Sequence, residues 1–362
     1  MNIILIITGL GMGGAERQVC DLADQFTAKG HEVLLISMTG ETVNRPLSAK
    51  IDVAELNMAK TPLGFIKAYW QARQLIKQFK PDVVHSHMVH ANLFARLLRV
   101  TTRIKRLICT AHSSNEGGRG RMLAYRLTDK LCDLSTNVSQ EAVYVSVKRG
   151  AVSTSRIVAI PNGIDTMRFN FNPARGGCLR EQLHLAQNTP LILAVGRFTE
   201  AKDYPNLINA FRQLPEELNH AQLVIIGVGE EQAKIDALVD KLGLSERVHF
   251  LGLQRNIHEW MSAADIFVLS SAWEGFGLVV AEAMACERVV VATDCGGVKE
   301  VVGNAGILVP PKDSETLAAG IIEGLSLSPL AKQQLGRKAR ERVLKSFSLD
   351  AVTEKWIELY KK

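Results

Sequence analysis

Short unbroken apolar runs alternate with helix-periodic stretches along nearly the whole chain, and this alternation constrains the fold more than any other feature. In the first half "NIILIITG", "EVLLISM", "DVVHSH", "RLICTAH" and "RIVAIPNG" read as strands. Between them, "GAERQVCDLADQFTAKG" sets Val19, Leu22, Ala23 and Phe26 at helical spacing and stops at Gly30. "GFIKAYWQARQLIKQFKPD" repeats the pattern and stops before Pro81. Strands that alternate with helices form a parallel sheet covered on both faces. The rhythm breaks in the Asn, Pro and Gly clusters of "RFNFNPARGGCLREQLHLAQNTP". It restarts with "LILAVGRF", "AQLVIIGVG", "RVHFLGL", "DIFVLSS", "RVVVATD" and "AGILVPP". At 362 residues the chain suits two domains better than one core. The expectation is an α/β protein of two Rossmann-like doubly wound domains facing across a cleft: residues 1–168, a linker at 169–189, and residues 190–348. A last amphipathic helix in 349–362 carries Val352, Trp356, Ile357 and Tyr360 on one side.

Composition excludes several classes. With 47% hydrophobic and 22% charged residues the chain is globular rather than disordered. Aromatic content is modest and no recognition motif accompanies the basic residues, so nucleic acid is not an expected partner. The six cysteines show neither a Cys-x-x-Cys pair nor a metal-ligand spacing, as for free thiols in a reducing, cytoplasmic compartment. The opening "MNIILIITGLGMGG" lacks a basic leader region and runs into a glycine turn, so it reads as a buried first strand. No apolar segment reaches the ~20 residues needed to span a bilayer.

Charge is uneven. Residues 1–168 hold 22 Lys+Arg against 13 Asp+Glu, a net of +9, and the remainder is −3, giving the overall +6. "ARLLRVTTRIKR" and "GGRGRMLAYRLTDK" interleave Arg96, Arg99, Arg103, Lys105, Arg106, Arg119, Arg121 and Arg126 with leucines. Two readings stay open: a solvated charged face, or a surface that docks on an anionic membrane.

Ligands of doubly wound sheets bind at the carboxyl edges of the strands, and the polar singularities of the sequence fall there. After the first strand, "TGLGMGGAER" offers Gly11, Gly13 and Gly14 for a tight turn ahead of a helix N-terminus. A dinucleotide site would also want an acidic residue after "LLISMTG", and none is present, which argues against NAD. "VGRFTEAKDYPNLINAF" places Arg197 and Lys202 on one strand-to-helix loop, where two cations suit a shared anion. In "SSAWEGFGLVVAEAMAC" Glu274 precedes the turn Gly275-Phe276-Gly277, and Glu282 follows on the next helix, placed to accept from vicinal hydroxyls. His85 and His87 alternate along one strand without a third ligand beside them or His90, so no metal site is expected. His112 ends another strand, with a structural and a functional reading both open.

The motifs "GMGGAER", "VVHSH", "TAHSS", "IPNGID", "VGRFTEAKDY", "GVGEE", "SSAWEGFGLVVAEAMAC" and "ILVPP" together resemble the retaining glycosyltransferases of family 4, with the GT-B fold. The resemblance implies a transferase of bacterial surface-polysaccharide synthesis, of O-antigen or capsule type. The donor would be a nucleotide-diphosphate sugar, UDP-hexose or UDP-N-acetylhexosamine, and the acceptor a saccharide on a polyprenyl diphosphate. The enzyme would work at the inner face of the cytoplasmic membrane. Arg197 and Lys202 would neutralise the leaving diphosphate, aided by backbone amides near Gly277 and Leu278. Glu282 would hold the ribose, and Glu274 and His112 would contact the transferred sugar. Gly13 and Gly14 would pack near the phosphate, and the segments containing Gly229 and Leu253 would border base and ribose. The resemblance also implies that the tail helix returns to the first domain. No cofactor or metal is implied, and no Asp-x-Asp occurs. A nucleotide-sugar epimerase of similar shape and a non-catalytic assembly scaffold remain the alternatives.

Overall fold

The computed structural model describes residues 1–113, 117–186 and 188–362, so Ser114, the last residue of "TAHSS", and Gln187 lie outside the described residues. The chain divides into two compact units: 1–163 with 349–362, and 164–348.

The first unit holds a seven-stranded parallel sheet. Its strands are β1 (Asn2–Ile7), β2 (Glu32–Ser37), β3 (Asp52–Glu55), β4 (Val83–His87), β5 (Arg106–Ala111), β6 (Leu134–Asn137) and β7 (Ile157–Ala159), in the order β3-β2-β1-β4-β5-β6-β7. Its centre is doubly covered, as the apolar run of β1 requires. Ile3, Leu5 and Ile7 enter one core with helix Gly14–Ala28 and the tail, while Ile4 and Ile6 enter another with Ala68, Ala72 and Ile76. The second unit holds six parallel strands: β8 (Leu191–Val195), β9 (Gln222–Ile226), β10 (Val248–Phe250), β11 (Ile266–Leu269), β12 (Val289–Thr293) and β13 (Ile307–Val309). Their order is β10-β9-β8-β11-β12-β13. In each sheet the order reverses once, between β1 and β4 and between β8 and β11.

Three features differ from the sequence reading. β3 and β6 carry too few apolar residues to stand out as strands. β6 is buried through polar contacts instead: Thr136 and Thr110 share a hydroxyl hydrogen bond of 2.6 Å, and Asn137 donates to the Ser113 carbonyl at 3.2 Å. The stretch 169–189 is not a free linker. Helix Pro173–Gln182, capped by Asn172, lies so close to helix Ile257–Ala263 that a β-carbon on Gly176 would meet the Ser262 carbonyl at 2.7 Å. Arg180 also donates to the Ala263 carbonyl at 3.0 Å, so this stretch belongs to the second unit.

The third difference concerns the basic cluster. Arg96 is buried, with Nη1 donating to the Tyr125 carbonyl at 2.9 Å and Nη2 to Ser135 at 3.1 Å. Arg99 pairs with Asp133, Lys105 with Asp82, and Arg106 donates to the Leu359 carbonyl. Of the cations read as a common surface, Arg96, Arg99 and Arg106 therefore serve the unit's own structure, and Lys105 is paired at the surface.

Candidate active site

The reversal between β8 and β11 leaves a crevice at the carboxyl ends of the two strands, and two loops run from it. One leaves β8 through Gly196 and Arg197, makes a 3-10 turn over Glu200–Lys202, and enters helix Tyr204–Arg212. The other leaves β11 and runs through Ser270 to Gly277 before helix Leu278–Ala285. Hydrogen bonds stitch them together. Ala272 N–H donates to the Ala201 carbonyl at 2.8 Å, and Ser270 Oγ donates to the Lys202 carbonyl at 2.8 Å.

The side chains converge at the same place. Lys202 Nζ lies 2.5 Å from Glu274 Oε1, which also accepts from Ser271 Oγ at 2.8 Å. Both charged side chains are largely withdrawn from water, a setting in which a salt bridge has to be geometrically well made to offset desolvation. The Glu274 backbone is held from behind by Gly296. A β-carbon there would fall 1.9 Å from the Glu274 carbonyl oxygen, and its φ of +55° suits only glycine well. Gly275, Phe276 and Gly277 are buried, Phe276 against the Phe347 ring at 5.5 Å, and Gly277 caps the next helix in the left-handed region. Leu278 and Val279 open that helix, where the first N–H groups have no intrahelical acceptor. Glu282 follows in its second turn, half-buried.

The remaining expected residues distribute as follows. Arg197 is exposed immediately after Gly196, Leu253 is exposed after β10, and Gly229 packs its α-carbon against the Phe198 carbonyl. Gly13, Gly14 and His112 belong to the first unit. Gly13 precedes helix Gly14–Ala28 after β1, and His112 follows β5. His112 Nε2 lies 3.1 Å from His87 Nδ1 at the end of β4, and burial pushes the His112 pKa down to about 4. His87 is fully buried and its imidazole is likewise held neutral, chiefly by desolvation. His85 has both ring nitrogens occupied, at 2.6 Å from the Tyr360 hydroxyl and 2.6 Å from Thr110, so it is a structural group. Among the described residues no cluster of three His, Cys, Asp or Glu is arranged to hold a metal ion.

Two family models together match most of the chain. One, Glycosyltransferase Family 4, covers residues 12–168, and the other, Glycosyl transferases group 1, covers residues 179–342. The chain belongs to the group 1/family 4 glycosyltransferases. Among curated glycosyltransferases it is similar to the lipopolysaccharide core biosynthesis glycosyltransferase LpsE of Rhizobium meliloti, at 26% identity over 96% of this chain and 95% of that one. It is also similar to the N-acetyl-alpha-D-glucosaminyl L-malate synthase of Bacillus anthracis, at 24% identity over 96% and 94%. Among solved structures, Anabaena HepE in complex with UDP and glucose superposes with a TM-score of 0.87 over 100% of both chains at 23% identity. That likeness shows the fold, which is GT-B, two Rossmann-like parallel-sheet domains.

In this glycosyltransferase Arg197 and Lys202 share the loop after β8, and the structure also brings Lys202 into contact with Glu274, a pairing the sequence does not announce. Ser270 and Ser271 were missed as supports, although they stand in the quoted "SSAWEG", because a serine pair has no chemical signature until its acceptors are placed. His87 was weighed only as a metal ligand. Its partner is His112, from the adjacent strand.

Proposed function

We propose that this glycosyltransferase is a retaining enzyme that moves a hexose or N-acetylhexosamine from a UDP-sugar to a lipid-linked saccharide in bacterial surface-polysaccharide synthesis. The observation that carries the reading is the Lys202–Glu274 pair at the strand reversal of the second sheet, one residue serving an anion and the other a hydroxyl. In the reading, Lys202 and Arg197 take the charge that develops on the leaving diphosphate, with the amides at Leu278 and Val279 as further donors. Glu282 accepts from the ribose hydroxyls. Glu274 orients the sugar, and Gly229 and Leu253 line the donor. The UDP and glucose of the HepE complex and the lipopolysaccharide role of LpsE support the donor class and the pathway.

The step is a front-face displacement. The bond from the anomeric carbon to the diphosphate oxygen breaks as the acceptor oxygen bonds to the same face. The acceptor proton passes to the leaving phosphate oxygen. No protein nucleophile and no metal ion enters the scheme. Because the acceptor is a membrane lipid and no helix among the described residues is long and apolar enough to cross a membrane, the enzyme reaches it by docking at the inner membrane face.

Purified protein incubated with a panel of nucleotide sugars, in EDTA and without acceptor, tests the reading through donor hydrolysis. Slow release of UDP from one UDP-sugar, with the released sugar keeping its anomeric configuration, is expected. An epimerised nucleotide sugar, or activity restored only by a divalent ion, would overturn it.

A further inference from the structure

Helix Pro62–Phe79 is apolar on two opposite faces, and folding uses only one. Ala68, Ala72 and Ile76 are buried, and Phe65 and Tyr69 lean edge-on against Phe94. On the other side Leu63, Ile66 and Trp70, spaced so that they share a face, are 80%, 50% and 53% exposed. A tertiary fold gains nothing from holding three large apolar side chains in water on consecutive turns, and such a ridge marks an interaction surface.

The charge around the ridge has one sign. Lys60, Lys67, Arg73, Lys77 and Lys80 lie along it, and no Asp or Glu occurs from Leu56 to Pro81. Arg73 stacks over the Trp70 ring at 4.9 Å, an indole flanked by a cation. Among the described residues, Lys60, Lys67, Lys77 and Lys80 have no carboxylate partner. The N-terminal turns are fixed: Pro62 opens the helix and Thr61 caps it, accepting from Gly64 N–H at 3.1 Å. A rigid helix with aliphatic and indole side chains on its outer face and unpaired cations beside them is built to lie in the headgroup layer of an anionic membrane.

We propose that the outer face of helix Pro62–Phe79 is the membrane-binding surface of this protein, with Leu63, Ile66 and Trp70 inserted and Lys60, Lys67 and Lys77 against anionic headgroups. This rests on the membrane-docking part of the proposed function. It relocates the contact away from the segments around residues 96–126, where Arg96, Arg99, Lys105 and Arg106 are engaged internally.

The test uses the full-length protein and sucrose-loaded vesicles of phosphatidylglycerol and phosphatidylethanolamine. Wild-type protein should pellet with them at low salt, and the Trp70-dependent part of its fluorescence, obtained by difference from Trp70→Phe, should shift to the blue. Leu63→Ser with Ile66→Ser should weaken binding ~10-fold or more, the scale of withdrawing one large apolar side chain from water. Arg119→Gln with Arg126→Gln should change it much less. Neither double variant touches a buried side chain, and unchanged circular dichroism and donor hydrolysis will report that both are folded. If the wild type pellets and the two double variants pellet equally well, the helix assignment falls while membrane docking stands. No pelleting of the wild type overturns both. A blue shift that needs no vesicles and grows with protein concentration would mean that a second copy covers the ridge, and would also overturn the assignment. Donor hydrolysis, measured without lipid, judges the transferase reading independently.

Discussion

Glu274 Oε1 accepts from Lys202 Nζ and from Ser271 Oγ at once, so the carboxylate is fixed before any sugar reaches it. The lysine is fixed by the same contact, and its main chain is tied to Ser270. Preorganisation of this kind matters because charges already in place need not reorganise as the transition state forms. Lys202→Ala or Arg197→Ala should therefore lower turnover by ~100-fold or more, the scale of removing one donor to a developing anion. The two differ in their side effects. Arg197 is exposed, and its loss should leave stability unchanged. Lys202→Ala leaves a half-buried carboxylate with a single hydroxyl donor and should cost ~1–3 kcal/mol of stability. Steady-state kinetics and urea unfolding of both variants check this. A Lys202→Ala enzyme with wild-type turnover would remove Lys202 from the diphosphate site.

Among the elements, adjacent strands β4 and β5 place His85, His87 and His112 in one row, the first two buried and His112 half-buried, with the His85 and His87 rings 4.0 Å apart and those of His87 and His112 5.3 Å apart. All three are held neutral, mainly by desolvation, with mutual repulsion of the charged forms added for His85 and His87. Their folded pKa values lie below the ordinary 6.5, so the unfolded chain binds more protons as the pH falls. The contribution to stability is full above about pH 6.5 and is lost progressively toward the folded value, about 4 for His112. The urea midpoint should drop between pH 7.5 and pH 5, and His112→Gln should flatten that dependence. An unaltered slope in the variant would show that His112 is protonated as readily in the fold as in water.

The same strands show what a sequence can reveal. β1 and β12 are legible because both faces of their centres are covered, so Ile3 to Ile7 and Val289 to Ala292 are unbroken apolar runs. β6 was not, because Ser135, Thr136 and Asn137 are buried by hydrogen bonding, and polar residues look exposed until their partners are known. Arg96 misled for the same reason. At the site, Arg197, Lys202, Glu274 and Glu282 were legible as singular residues at strand ends. The Lys202–Glu274 contact was not, since 72 residues separate the partners and only the order of the strands brings them together.

For the whole molecule the decisive contact is the one that closes the chain. Helix Leu349–Lys361 is grouped with the first unit, although the 185 residues of the second intervene. Val352, Trp356, Ile357 and Tyr360 are buried there in one core with Phe26, Ile3 and Leu5. Tyr360 supplies the hydroxyl that satisfies His85, and the Leu359 carbonyl accepts from Arg106. The ion pairs of Lys29 with Asp350 and Glu354 lie at the surface and add little. Losing one buried aromatic such as Trp356 typically costs ~3–5 kcal/mol, against ~5–15 kcal/mol for a whole domain. Removal of the entire helix should therefore unfold the first unit, while the second keeps every strand and core residue it has. A chain ended after Ser348 is thus expected to lose amide-exchange protection across β1, β2 and β4 and to retain it across β8, β11 and β12. Trp356→Ala should reproduce a milder form of that asymmetry, lowering exchange protection across β1, β2 and β4 and leaving it in place across β8, β11 and β12. Equal protection of both sheets in the truncated chain would mean that the tail merely rests on the first unit. Loss of protection in both would mean that the two units fold as one.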